Sequence, residues 1–136
     1  SMVRYKNDKY RHIGWCSARM DDFFNFLPAR LGGVLMLFSA LLLRLDVQRG
    51  IRTVLSDAKK HKSPNSGISE AITAGVLGIR LGGWSQYFGV RQFRAYMGEQ
   101  TRQIVLEDIK KTVALSILTS FVTIVFGEII MILIKL

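Results

Sequence analysis

Three stretches of the chain carry residue types that could do chemistry, and each lies where a helix would begin or end. The first is Tyr5 to Arg30, YKNDKYRHIGWCSARMDDFFNFLPAR. If Trp15 to Leu27 is helical, Asp21 and Asn25 stand four residues apart and Asp22 and Asn25 three, so all three share a broad polar face. Two carboxylates beside an amide oxygen suit Mg²⁺, a hard cation that takes few protein oxygens and leaves positions open for phosphate. A solvated acidic turn would show the same spacing.

The second stretch is Asp57 to Glu70, DAKKHKSPNSGISE. Pro64 stops one helix and Asn65-Ser66-Gly67 opens the next, with Ser66 or Gly67 expected as the cap and Glu70 in the first turn. The free N–H groups and positive dipole end of such a helix attract an anion. Lys59, Lys60 and Lys62 add point charges. Asp57 and His61, at i and i+4, could pair so that the carboxylate orients the imidazole. A capped helix behind a lysine-rich loop on an anionic membrane reads the same way. The third stretch is Ala74 to Gly83, AGVLGIRLGG. Small residues at Ala71, Ala74, Gly75 and Gly78 admit another helix or a flat ligand at close range, and helix packing is the commoner reason.

No P-loop, Gly-x-Ser-x-Gly elbow, His-Glu-x-x-His, zinc-type cysteine pair or dinucleotide fingerprint accompanies these clusters. The single cysteine, Cys16, excludes an internal disulfide.

The elements that must position these clusters are expected to be helical throughout. Thr112 to Ile134 is a 23-residue apolar run interrupted only by Glu128, long enough as a helix of roughly 35 Å to cross a bilayer. Its leucine, isoleucine, valine and phenylalanine content outweighs a buried glutamate costing about 3 kcal/mol. Glu128 is a functional candidate by position, with a helix–helix hydrogen bond as the simpler explanation. Lys110 and Lys111 before the run, against Lys135 after it, place its start in the cytoplasm. Residues 23–43 form a second membrane helix, kinked at Pro28 and entered past Asn25 and Arg30. Residues 44–111 read as a cytoplasmic helical region. It comprises an amphipathic helix with Val47, Ile51, Val54, Leu55 and Ala58 on its apolar face, and a helix from Ile68 ended by Gly82-Gly83. A last helix, about Arg91 to Lys111, carries Phe93, Tyr96, Met97 and Ile104. The fold class is all-α, a single integral membrane helical unit over 1–136.

With 19 Lys+Arg against 10 Asp+Glu the chain has a net charge of +9, yet it is 49% hydrophobic. A basic excess suits nucleic acid, anionic lipid headgroups or phosphorylated small molecules. The apolar tail favours membrane lipid and small phosphorylated ligands, with no nucleic acid among the partners.

Tyr-Lys-Asn, Ser-Ala-Arg, the double Asp and Pro-Ala-Arg in the first stretch resemble one signature of the CobD/CbiB family of cobinamide-phosphate synthases. Asp-Ala, His, Ser-Pro-Asn-Ser-Gly, Glu-Ala, Leu-Gly-Gly and Tyr-Phe-Gly resemble a second, in the family's order. Ile68-Ser69 and Trp84-Ser85 depart from the usual pattern, which puts substrate detail in question more than reaction class. The resemblance covers most of Ser1 to Gly89. It implies a multi-pass cell-membrane ligase, its active face cytoplasmic, that joins adenosylcobyric acid to 1-amino-2-propanol phosphate with ATP and Mg²⁺. By the resemblance, Asp21, Asp22 and Asn25 would hold the metal. Lys6, Asn7, Arg30, Asn65, Ser66 and Gly67 would hold phosphate or the substrate carboxylate. His61 or Glu70 would accept the ammonium proton, with Asp57 orienting His61. Family members are longer, with an apolar N-terminal half, so the chain is expected to be a C-terminal portion, inactive alone. The competing reading, a non-enzymatic membrane sensor of the same superfamily associated with β-lactamase induction, has no need of both polar clusters.

Overall fold

The computed structural model describes residues 19–60, 65–87 and 89–135. A helical turn at 19–24 leads through Asn25 into α1, Phe26–Leu42. Then come α2, Val47–Asp57, a 3-10 turn at Ala58–Lys60, and α3, Ser66–Leu77. Strands β1, Leu81–Tyr87, and β2, Val90–Met97, precede α4, Leu106–Lys135.

The interruption before α1 falls at Asn25, not at Pro28. Helical bonds run across it, from the Asn25 N–H to the Asp21 carbonyl and from the Ala29 N–H to the Asn25 carbonyl, both 3.0 Å. Pro28 lies in the first turn of α1, where a missing N–H costs little. At its other end α1 closes in a Schellman turn, with Leu45 N–H on the Ala40 carbonyl at 2.9 Å and Arg44 N–H on Leu41 at 3.0 Å. Arg44 takes the left-handed position, φ 56, usually given to glycine.

The buried side of α2 is Gly50, Thr53 and Asp57, while Ile51 and Leu55 are 43% and 75% exposed. Of the expected apolar face Val47, Val54 and Ala58 do pack on the core, and Ile51 and Leu55 do not. Backbone proximity sets the packing: a Cβ on Gly75 of α3 would lie 2.7 Å from the Gly50 Cα and 2.7 Å from the Thr53 Oγ1. The small residues of α3 therefore serve helix packing. On its other side Gly33 of α1 faces Ile68 and Ile72, and Ala71, Ile72 and Ala74 are fully buried. Gly33 meets Ile68 and Leu37 approaches Gly50 beside Val76, so α1 and α3 run in the same direction.

Helix α3 ends at Leu77, earlier than the Gly82-Gly83 end expected from sequence. Gly78 takes φ 65, and Ile79 N–H caps the Ala74 carbonyl at 3.0 Å. The chain then forms a two-stranded antiparallel sheet, which corrects both the all-α reading and the helix expected over Arg91 to Lys111. Between the pairs Leu81–Met97 and Gly83–Arg94, Ala95 and Tyr96 of β2 oppose Gly82 alone, a bulge next to which Gly82 and Gly83 take φ 102 and 100. A side chain there would meet strain that glycine avoids. The bulge brings Phe93 and Tyr96 together, ring centroids 5.6 Å apart, and this i, i+3 proximity imitates a helical pattern.

The 30-residue α4 is the one helix among the described residues long and apolar enough to cross a membrane, and its apolar window is not buried in the protein. Thr112, Ser116, Thr119, Ser120 and Thr123 each donate to the carbonyl four residues back, at 2.7–3.0 Å. That satisfies hydroxyls without water. Phe121, Val122, Val125 and Phe126 of α4 line one apolar groove with Leu35 and Phe38 of α1.

Candidate functional site

Asn65 sits at the start of α3 and does not cap it; its side chain reaches away from its own helix. The Asn65 Nδ2 donates to the Asp22 carbonyl at 2.8 Å, across 43 residues of sequence. Its Oδ1 lies 3.5 Å from Nη1 of Arg30, a long contact. One amide thus ties together the double-Asp turn, the second turn of α1 and the start of α3. The two sequence clusters converge.

Arg30 is preset for this place. Its Nη1 donates to the Phe26 carbonyl at 2.8 Å, and the guanidinium lies 3.4 Å from the centroid of the Phe26 ring. Those contacts engage one nitrogen of a fork that carries five N–H donors, so most of its capacity to grip a carboxylate or phosphate remains. Beside it, Ser66 is exposed and Gly67 buried in the first turn of α3, where backbone N–H groups have no intrahelical acceptor. Glu70 is half-buried one turn further along the same face, in the second turn of α3 and not the first as expected.

Asn25 donates its Nδ2 to Oδ1 of Asp21 at 3.0 Å. That bond leaves Oδ1 of Asn25 and Oδ2 of Asp21 without a partner among the described residues. These two oxygens are of the kind a magnesium ion takes, while Asp22, next along the chain, already has a partner of its own. No group of three or more His, Cys, Asp or Glu side chains converges among the described residues, so such an ion would depend on its phosphate ligand.

Asp57 has a different place. It is buried at the end of α2, with Oδ1 on Lys60 Nζ at 2.5 Å and Oδ2 on the Gly98 N–H at 2.8 Å. Burial pushes its carboxyl up, but the bonds from Lys60, Gly98 and Ser56 outweigh this and hold it below the usual carboxylate range. An ionised, doubly engaged carboxylate fastens the end of β2 to α2. Lys6, Asn7 and His61 lie outside the described residues.

Sequence reasoning missed the structure at the opposite end of α3. Arg102 donates to the Leu77 carbonyl at 3.0 Å and pairs through both terminal nitrogens with Asp108. Asp108 in turn accepts the Val105 N–H at 2.9 Å. Thr101 Oγ1 donates to the Gly78 carbonyl at 2.6 Å. The readable signal was an acid at the third helical position ahead of an apolar run, half of a capping box. This clamp fixes the start of α4 to the end of α3. From there α4 runs back along α1, so the Asn65 junction lies about 17 Å along α3 from the clamp, beside α4 and not at its first turn.

The fold and the junction define a helical protein, apolar on one side, with an anion-suited helix start stitched to an acidic turn. The chain belongs to the CobD/CbiB family: the profile of the family described as CobD/Cbib protein matches residues 1–116. Among its relatives, a "Cobalamin biosynthesis protein CobD" of Klebsiella pneumoniae is 50% identical over 115 residues, covering 85% of this chain and 36% of the relative. The protein of the same name from Photorhabdus laumondii is 48% identical, covering 88% and 38%. "Cobalamin biosynthesis protein CbiB" of Salmonella typhimurium is 49% identical, covering 85% and 36%. The chain thus spans a little over a third of the length of these curated relatives. No solved structure matches it.

Proposed function

We propose that the protein containing this chain is an adenosylcobinamide-phosphate synthase of the cell membrane, an ATP-dependent ligase joining adenosylcobyric acid to 1-amino-2-propanol phosphate. The observation that carries this reading is the Asn65 bridge from the Asp22 carbonyl toward Arg30. It joins the double-Asp turn to the start of α3 beside the Arg30 guanidinium.

A carboxylate resists attack by an amine, and activation as an acyl phosphate gives it a leaving group. The chain supplies groups suited to both ends of that problem. Arg30 and the first-turn N–H groups at Ser66 and Gly67 bind phosphate oxygens or the substrate carboxylate, assisted by Lys6 and Asn7. Asp21, Asp22 and Asn25 hold magnesium, which neutralises phosphate charge when bound. Glu70 or His61 takes the proton that the ammonium group must lose before its nitrogen can attack. Asp57 keeps the second cluster in position through Lys60 and the end of β2. Helix α4, and α1 beside it, lie in the bilayer, with the missing N-terminal part of the protein completing a multi-pass unit.

The test is ATP-dependent amide formation by the full-length protein. Asp22→Ala and Asn65→Ala should each lower kcat at least about 100-fold, the scale lost when a preorganised charge-stabilising group is removed. Full activity in both variants refutes the site. Full-length protein that folds and binds corrinoid but forms no amide favours the sensor reading.

A further inference from the structure

The hairpin carries an aromatic surface that the proposed ligase site does not use. Trp84 pairs across the strands with Phe93, ring centroids 5.3 Å apart, and Phe93 meets Tyr96 edge-on at 5.6 Å. Trp84 is 72% exposed and Phe93 46%. Arg80 lies over the Tyr96 ring, 4.5 Å from its centroid. Arg91, opposite Gln86, is on the same face as Trp84, and both line an open cavity of about 400 Å³. Between Glu70 and Glu99 the sequence has no carboxylate, and among the described residues no salt bridge engages Arg80 or Arg91, so this face is positive.

A two-stranded ribbon is marginal in water unless something packs against it. Within strand residues 81–86 and 91–97, only Leu81, Gly83, Ala95 and Met97 are covered even in part by the protein. Its base is fixed where α4 begins: Asp57 holds the Gly98 N–H, Thr101 holds the Gly78 carbonyl, and Arg102 joins Leu77 to Asp108. Lys110 and Lys111 are exposed at that same start of the apolar run. Indole and phenol rings settle at the headgroup level of a bilayer, and arginine stems let the charge reach phosphate.

We propose that the Trp84–Phe93–Tyr96 face, with Arg80 and Arg91, docks on the headgroup layer of an anionic bilayer and anchors the end of the protein where α4 enters. The proposal rests on α4 spanning the membrane. Charge selects the occupant, because an uncompensated arginine pair beside exposed aromatic rings matches anionic phospholipid better than a zwitterionic surface.

The full chain carrying Trp15→Phe leaves Trp84 as its only indole. It is reconstituted in nanodiscs of phosphatidylcholine with and without phosphatidylglycerol. With the anionic lipid, Trp84 emission should shift to the blue and be quenched by lipid brominated near the headgroup. Arg80→Gln and Arg91→Gln should each lower the ratio of docked to undocked hairpin about five-fold, the effect of one basic residue at an anionic surface. Arg94→Gln, paired with Gly83 on the reverse face, should change it little. Water-like Trp84 emission in both kinds of disc overturns the proposal, as does equal docking without anionic lipid. Loss of the chain from the disc fraction overturns the spanning helix, and the docking with it.

Discussion

The two ends of α3 are built on opposite plans. At the C-terminal end every strong group is engaged: Gly78 turns the chain, Thr101 caps its carbonyl, and Arg102 bridges Leu77 to a buried Asp108. At the N-terminal end one asparagine amide makes the long-range connection, and Arg30, Asp21 and Ser66 remain exposed around it. Satisfied polar networks rigidify, whereas polar groups held in place but left unsaturated are available to a ligand. The contrast gives one end a structural role, and the proposed function places its chemistry at the other.

Substitutions can break or sharpen that contrast. The largest effect on activity should come from Arg30→Ala in the full-length protein, a loss of about 100-fold or more in kcat/KM, with thermal stability nearly unchanged. The largest effect on folding should come from Arg102→Ala. It leaves the Asp108 carboxylate and the Leu77 carbonyl without their shared partner, so limited proteolysis should cut the 98–105 link much faster than in the parent. Gly75→Ala drives a methyl into Gly50 and Thr53, an overpacking cost of about 1–3 kcal/mol, measurable as reduced resistance to denaturant in detergent.

A pH effect should follow from Asp57. Its carboxyl sits below the ordinary range in the folded protein. Its stabilising share is therefore complete above that range and is lost as pH falls through the depressed value. Acid unfolding of Asp57→Asn should lack that component of the acid limb. The smallest effect is Arg44→Gly. Relieving the left-handed strain at φ 56 should stabilise α1 by about 1 kcal/mol at most, read as a small rise in Tm.

The start of α3 was legible because Pro64 stops one helix and Asn65-Ser66-Gly67 opens the next; Pro28, expected to kink its helix, lies instead in the first turn of α1. The long apolar helix α4 was legible from length and hydropathy alone. The hairpin was not. Its bulge opposite Gly82 interrupts strand alternation and leaves Phe93, Tyr96 and Met97 at helical spacing. The packed face of α2 was legible in part: Val47, Val54 and Ala58 do pack on the core, while the close approach of Gly50 to Gly75 shifts the buried side toward Gly50, Thr53 and Asp57. Asp57 illustrates the limit of spacing arguments. The bond that holds it to Gly98 spans 41 residues and leaves no local trace, while its expected partner His61 lies outside the described residues.

The most direct test of the central claim is a double-mutant cycle on ATP-dependent amide formation by the full-length protein, using Arg30→Ala, Asn65→Ala and both together. If the amide and the guanidinium act as one anion-holding unit, the double variant should be little slower than the worse single variant. Losses that multiply as for independent sites, or rates that stay at the parental level, would contradict it.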